Sequence, residues 1–355
     1  MTTGMAGDPH VTICVPAFNA ARTLARTLDS LLAQDYGDLE VLVCDNLSTD
    51  GTAQIAGRYA SRGIQYVLNP TPCRWGEENW NHALSLAQGP LIALYHADDI
   101  YKPTMVRRQV EFLVRHPEVC SVFTMTERID LEDRPIRLGT TRLPAELRGR
   151  SVFGFEELLN SILRHGDFIC TPTMMTRVET LRAVGSFSPE IFASAADLDL
   201  WLRMARWRPV GIIDDPLHRY RVHPHQGSQV MERDRTHPAH FFKVIDSYLK
   251  LPEVAGIVEP QALRVYELAR ATDLVHCAMN ALASGETDLG RRYLSRAMAW
   301  RHMVTALERP RALGKMLVGL GLMIATRLGT GQACARSLDR LYQARLRHLR
   351  QPLAG

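Results

Sequence analysis

The apolar pattern begins at VTICV (11–15), an unbroken run rich in β-branched residues that predicts a buried strand. The rhythm then changes. From Ala20 to Gln34 the leucines at 24, 28, 31 and 32 recur at helical spacing on one face. LEVLVC (39–44) predicts a second strand, and DNLSTDGT turns into a helix over about 52–61. IQYVL (64–68), a helix over NWNHALSLA (79–87), a strand at LIALYH (91–96) and a helix from Pro103 to Arg115 continue the alternation. Proline is well placed in a first helical turn.

VCSVFTM (119–125) adds a strand, and the polar, turn-rich stretch 133–150 predicts a loop or short hairpin. FEELLNSIL (155–163) reads as helix, FICTPTMMT (168–176) as strand with a helix after it to Val184, and ASAADLDLWLRMARW (193–207) as an amphipathic helix. VGIIDD and LHRYRVHPHQGSQ follow as extended segments, and nearly everything from Phe241 onward is helical. Strands without polar alternation, separated by amphipathic helices, predict an α/β fold with a mostly parallel sheet covered on both faces. The chain divides into a flexible N-terminal segment (1–9), an α/β domain (10–237) and an α-helical C-terminal region (238–355).

Charge changes this picture at one end. The 355 residues carry a formal net charge of +4, but residues 291–355 hold 13 Lys/Arg against 2 Asp/Glu. The first 290 residues therefore hold 29 against 36. A basic tail suits an anionic neighbour such as nucleic acid, a membrane surface or an acidic partner, or it is a solvated helix face. The seven cysteines are dispersed with no CxxC pair, which predicts reduced thiols and a cytoplasmic chain. MTTGMAGDPH has neither the basic start nor the apolar stretch of a secretory signal. The longest uncharged apolar run, 316–326, falls short of the roughly 20 residues a bilayer span needs.

In sheets of this kind ligands bind beyond the carboxyl ends of the strands. That directs attention to Pro16–Asn19, Asp45–Asp50 and His96–Asp99. No glycine-rich phosphate loop is present: there is no GxGxxG after the first strand and no GxxxxGK[ST]. A phosphate ligand would need a cation instead, and two adjacent aspartates, Asp98 and Asp99, offer one a place. Mn²⁺ or Mg²⁺ bound through a carboxylate and substrate phosphates suits such a pair. Asp98 is the preferred ligand, with Asp99 orienting it or meeting a sugar hydroxyl. Helix capping is the plain alternative for both.

Taken in order, VPAFN, CDNLSTDGT, HADDIYKP and ADLDLWLRMA resemble the motifs of the family 2 glycosyltransferases, over about residues 10–230. The resemblance implies a GT-A fold and an inverting transferase that uses a nucleotide-diphosphate sugar. It implies nucleotide contacts from Pro16, Ala17, Phe18 and Asn19 after the first strand and from Asp45 and Asn46 after the second. Arg74 and Asn81 fall where relatives meet the nucleotide and donor sugar. The family's metal motif falls on His96–Asp99, with His96 where its first aspartate usually stands. Asp98 then carries the metal, and His96 and Asp99 are secondary ligands. Asp197 stands at the position of the catalytic base, preceded by Ala196 where relatives often have glutamate. A charge complementing the helix dipole is its structural alternative, and Asp199 is a second candidate base. His223 falls in the family's YRxH segment as a late metal or diphosphate contact, and Arg221 could help with charge. The spacing of His218, His223 and His225 is not that of a zinc site. Thr171, Pro172, Thr173 and Trp201 are placed on the acceptor side.

The expected partners are a nucleotide-sugar donor, with UDP or dTDP preferred, and a saccharide or lipid-linked acceptor, but no nucleic acid. The basic C-terminal helices suggest contact with the inner face of a membrane, or a homo-oligomer. Two rival readings stand beside the transferase. A sugar-phosphate nucleotidyltransferase shares the metal-dependent sheet, but would want a basic glycine-rich loop where this chain has PAFNAART. A non-catalytic sugar-nucleotide-binding module is the other.

Overall fold

The computed structural model describes residues 9–223, 226 and 234–353. Its chain falls into two compact units. The first runs to Pro135 and adds Gly139–Leu158 and Asp167–Arg221; the second takes Ile136–Leu138, Leu159–Gly166 and the chain from Val222 on.

The first unit is built on one sheet. β1 (Val11–Ala17) lies at its heart, every residue buried, paired in parallel with β2 (Leu39–Asp45) on one side and β4 (Leu91–Leu94) on the other. β3 (Ile64–Leu68) extends β2 in parallel. All four strands therefore end at the same edge of the sheet. α1 (Leu24–Leu32) buries Leu24, Leu28 and Leu31, the leucine stripe seen in the sequence. α2 (Thr52–Arg58), α3 (Gly76–Ser85) and α4 (Met105–Arg115) complete the alternation.

Beyond β4 the direction reverses. β9 (Met174–Arg177) runs antiparallel to β4 and to β6 (Ser121–Ile129), and β6 pairs in parallel with β10 (Val210–Arg221). The two-residue strand β5 (Ile100–Tyr101) adds antiparallel to β10, β8 (Val152–Phe153) pairs with β10, and β7 (Pro135–Thr140) folds back on β6 as the short hairpin the sequence allows. The stretch 168–176 departs from its predicted form. It opens with a 3₁₀ turn at Thr171–Thr173 before β9 begins. Pro172 has no N–H to give a ladder, which delays the strand. Since Leu94 pairs with Met174, this turn stands at the edge where β4 ends. α5 (Phe155–His165), α6 (Val178–Val184), α7 (Pro189–Phe192) and α8 (Ala196–Trp207) fill in around the sheet.

The second unit is helical: α9 (His240–Leu249), α10 (Pro252–Ala255), α11 (Pro260–Ser284), α12 (Thr287–Ala297), α13 (Trp300–Leu307), α14 (Pro310–Arg327) and α15 (Gly331–Leu349). α11 is its axis. Leu268, Leu274 and Val275 pack against Ala297, Ala306 and Met316, and two turns on Leu282 meets Leu294, Leu322 and Ala335. A Cβ added at Gly319 of α14 would come within 2.7 Å of Val275, so only glycine allows the two helices to approach this closely. Arg235, almost fully buried, lays its guanidinium against both carboxylate oxygens of Asp273 and the His237 carbonyl, fastening the entry segment to α11.

Candidate active site

β1 delivers Phe18 and Asn19 to the sheet edge. Phe18 is 65% exposed, while Asn19 adopts a left-handed backbone (φ 48°) and accepts the Thr49 N–H through its side-chain oxygen. Asp45 at the end of β2 is buried. One of its oxygens accepts the Ser48 N–H and hydroxyl, the other the Tyr66 hydroxyl. Asn46 spans to the next loop, donating to the Thr71 carbonyl at 2.7 Å and accepting from the Cys73 N–H. Pro16 and Ala17 remain within β1, facing Cys44 and Asp45 across the ladder.

The end of β4 holds the densest chemistry. His96, Asp98 and Asp99 each offer a ligand atom, all lying within 4.8 Å of one another. Asp99 is fully buried. Its carboxylate accepts the Arg221 backbone N–H at 2.8 Å and meets His218 Nε2 at 2.9 Å. Burial and the Asp98 charge push the Asp99 carboxyl well up, while burial drives His218 down to about 3, so the imidazole is neutral. Arg221, also fully buried, donates through Nε to the Asp98 carbonyl and through Nη1 to the Asp130 carbonyl and the Asp133 carboxylate. These bonds fix the course of the loop, while the buried Nη2 of Arg221 finds no hydrogen-bond partner among the described residues. His96 Nε2 is buried and finds no hydrogen-bond partner among the described residues. Burial holds this imidazole below its ordinary pKa, in the neutral form that ligates metals.

That orphan nitrogen is a test of metal fit, and the residues pass it. A neutral imidazole and a half-buried carboxylate, backed by a second carboxylate already oriented by its own partners, form a donor set for a divalent cation. His223 stands two residues past the end of β10, in the second unit. His225 lies outside the described residues.

The base position is built from a different direction. Asp197, in the first turn of α8, accepts the Thr171 hydroxyl at Oδ2 (2.7 Å) and the Leu198 N–H at Oδ1 (2.8 Å). Burial raises its carboxyl and those two donors oppose the rise. Asp199 is committed elsewhere: Arg203 Nε donates to it at 2.7 Å while the same guanidinium holds the Val184 and Ser186 carbonyls. Two carboxylates that the sequence leaves unmarked feel the Asp197 charge. Glu77, buried in the first turn of α3, is lifted to about 7 by burial, against its own backbone N–H, with Asp197 and Glu78 adding their charge. Asp167 accepts the Ile169 N–H. It keeps an exposed surface, so water tempers the lift that its surroundings and Asp197 impose. Neighbouring Glu78 instead reaches back to the Arg74 N–H.

An aromatic chain joins the two places. Trp80 lies 4.9 Å from His96 and 5.2 Å from Phe187 between ring centroids, and Phe187 meets Trp201 at 6.0 Å. This locates the other expected residues. Trp201, placed on the acceptor side by the sequence, is instead fully buried against Phe123 and Phe187 and supports α8 from within. The reason is its position on the inner face of an amphipathic helix. Asn81 gives both ends of its amide to the Phe187 backbone. Arg74 is exposed, its guanidinium over the Trp75 ring. Thr171 touches Asp197 directly, whereas Pro172 and Thr173 are buried beside it and the Thr173 hydroxyl turns to the Cys170 carbonyl.

The Glycosyl transferase family 2 model matches residues 12–185. The Bacillus subtilis (strain 168) protein EpsE, which carries a glycosyltransferase name, is 32% identical over 203 residues, 56% of this chain and 68% of that protein. The chain belongs to the family 2 glycosyltransferases. The Escherichia coli protein WfaP, named a UDP-Glc:alpha-D-GlcNAc-diphosphoundecaprenol beta-1,3-glucosyltransferase, matches this transferase at 25% identity over 217 residues, 60% of this chain and 77% of its own. S. aureus TarS 1–349, solved in complex with UDP-GlcNAc, superposes with a TM-score of 0.59 at 18% identity, covering 94% of this chain and 92% of that one. This likeness is one of fold, and it bears out the GT-A architecture of the transferase.

Proposed function

We propose that the transferase is inverting and metal-dependent, moving a sugar from a nucleotide diphosphate, UDP or dTDP, to a hydroxyl of a saccharide or lipid-linked acceptor in surface polysaccharide or glycolipid assembly. The observation that carries this is the pairing of two stations on one sheet edge: the His96–Asp98–Asp99 cluster after β4 and the Thr171–Asp197 pair at the entry to β9.

Asp98 and His96 would hold the cation, with Asp99 fixing the loop. The imidazole favours Mn²⁺ over Mg²⁺, which prefers oxygen donors. When bound, the ion supplies positive charge to the leaving diphosphate. Asp197 takes the proton of the acceptor hydroxyl as that oxygen bonds to the anomeric carbon, and the nucleotide diphosphate departs with the electron pair of the breaking C–O bond. Thr171 and the Leu198 N–H aim the carboxylate. Its raised pKa brings it nearer to that of an effective general base. One displacement inverts the anomeric carbon. On the donor side, each oxygen of Asp45 carries two lone pairs, so its ties to Ser48 and Tyr66 leave room for an imide N–H of uracil or thymine. Phe18, exposed after β1, would cover the base, with Pro16, Ala17, Asn19 and Asn46 shaping the loops around it. Arg74 is a diphosphate contact in this reading, on family resemblance.

Thermal melts with UDP, dTDP, GDP and CDP, with and without Mn²⁺, test the donor site. The expected result is a rise for UDP or dTDP that requires Mn²⁺ and disappears in Asp98→Asn. No shift with any nucleotide would overturn the reading.

A further inference from the structure

α14 packs its inner face on α11 through Met316, Gly319 and Leu322. A water-facing helix should be polar on the opposite side. This one is not. Leu317, Leu320, Ile324 and Leu328 follow one another at intervals of three and four residues, all exposed, with Leu328 at 74%. α13 repeats the pattern with Trp300 (79% exposed), Val304 and Leu307, while its other side shares a core with Met316. Two adjoining helices thus turn bulky apolar stripes outward, one of them carrying an indole.

The charges around the stripes are predominantly positive. Residues 300–328 contain five Lys/Arg and a single acid, Glu308. Arg309, Arg311 and Lys315 lie before the apolar stretch and Arg327 at its far end. Among the described residues no helix is long and apolar enough to cross a membrane. A helix with an apolar outer face, cationic ends and too little length to span lies in the plane of an interface. Its cations can reach headgroups while their stems cover apolar surface. A second copy of the chain would bring the same positive rim against itself, whereas an anionic bilayer complements it.

We infer that α13 and α14 form a docking face for an anionic lipid bilayer, with Trp300, Leu317 and Ile324 entering the interface. This rests on the packing and charge of the helical unit, independent of the donor-site reading, and its test reads no catalysis. The full chain is sedimented with phosphatidylglycerol/phosphatidylcholine vesicles and with phosphatidylcholine alone. Wild type is expected to pellet with the anionic vesicles and to be released by high salt. Leu317→Glu with Ile324→Glu, both on exposed side chains, lowers the lipid affinity at least about tenfold with an unchanged melting temperature. If that pair fails to fold, Arg311→Gln, Lys315→Gln and Arg327→Gln carry the test, with the preference for anionic lipid falling about fivefold per cation removed. Absence of pelleting, or pelleting that both variants leave intact, overturns the proposal. So does a wild-type dimer that ignores vesicles and is split by the glutamates, since the face would then belong to a second copy.

Discussion

The end of β4 and the start of α8 each present two carboxylates close together in sequence, Asp98 with Asp99 and Asp197 with Asp199. Their fates divide in the same way. Asp99 is taken by the Arg221 N–H and His218, Asp199 by Arg203. The other member keeps its place at the site: Asp98 beside His96, Asp197 beneath Thr171. Glu77 and Glu78 repeat the division on α3, with Glu78 closing a turn and Glu77 buried where it feels the Asp197 charge. In every case the anchored member is settled by partners it meets in the fold, and proximity in sequence says nothing about which one it will be. The two regions differ in what surrounds the remaining carboxylate. After β4 it has an imidazole with an unused nitrogen, which suits a cation. On α8 it has only hydrogen-bond donors and nearby acids, which suits a proton.

The sharpest way to break this comparison is at α8. Asp197→Asn should lower turnover by about 10²–10⁴-fold without weakening nucleotide binding, measured as nucleotide release alongside a binding isotherm. Asp199→Asn should instead cost stability, about 1–3 kcal/mol, by leaving Arg203 a weaker partner. If Asp199→Asn abolished turnover in a protein that still melted normally, the roles would be reversed.

The β4 pair sharpens it next. Asp99→Ala strands the His218 nitrogen and the Arg221 N–H in a dry interior and should destabilise by about 2–4 kcal/mol. Asp98→Asn should remove the protein's melting response to Mn²⁺ while leaving the bonds of Asp99 to His218 and the Arg221 N–H in place. Calorimetric melts of both variants with and without the ion would separate the two.

The smallest effect concerns Glu77. Its folded pKa, about 7, lies above its unfolded value of 4.5, so the folded state binds the extra proton and stability falls as pH rises between them. Glu77→Gln should therefore match wild type near pH 4.5 and exceed it at pH 8 by about 1–3 kcal/mol. A constant gap across that range would show that Glu77 is not titrating in the fold.

Much of the frame was legible in the chain. The unbroken apolar runs of β1, β2 and β4 announce strands buried on both faces, and the leucines at 24, 28 and 31 announce α1. Motif order placed Asp98 and Asp197 at candidate stations before any contact was known. What escaped was set by contacts distant in sequence. β5 is two residues long and exists because β10 passes beside it. β9 starts late because of Pro172. Trp201 looks like a site residue next to Asp197 and Asp199, but the helix period turns it inward. Glu77 sits among polar neighbours in RWGEEN, and no periodicity separates the buried glutamate from the capping one.

The reversal at β9 divides the sheet into two workshops with a common doorway. β1, β2 and β4 bring their ends to one edge of the sheet, whereas β9 brings its beginning there, with Thr171 at the threshold. A residue gained or lost ahead of Thr171 moves that hydroxyl relative to Asp197 without sliding any of the parallel strands out of register. The antiparallel side of the edge can thus vary through the lead-in to β9 while the parallel side keeps its register.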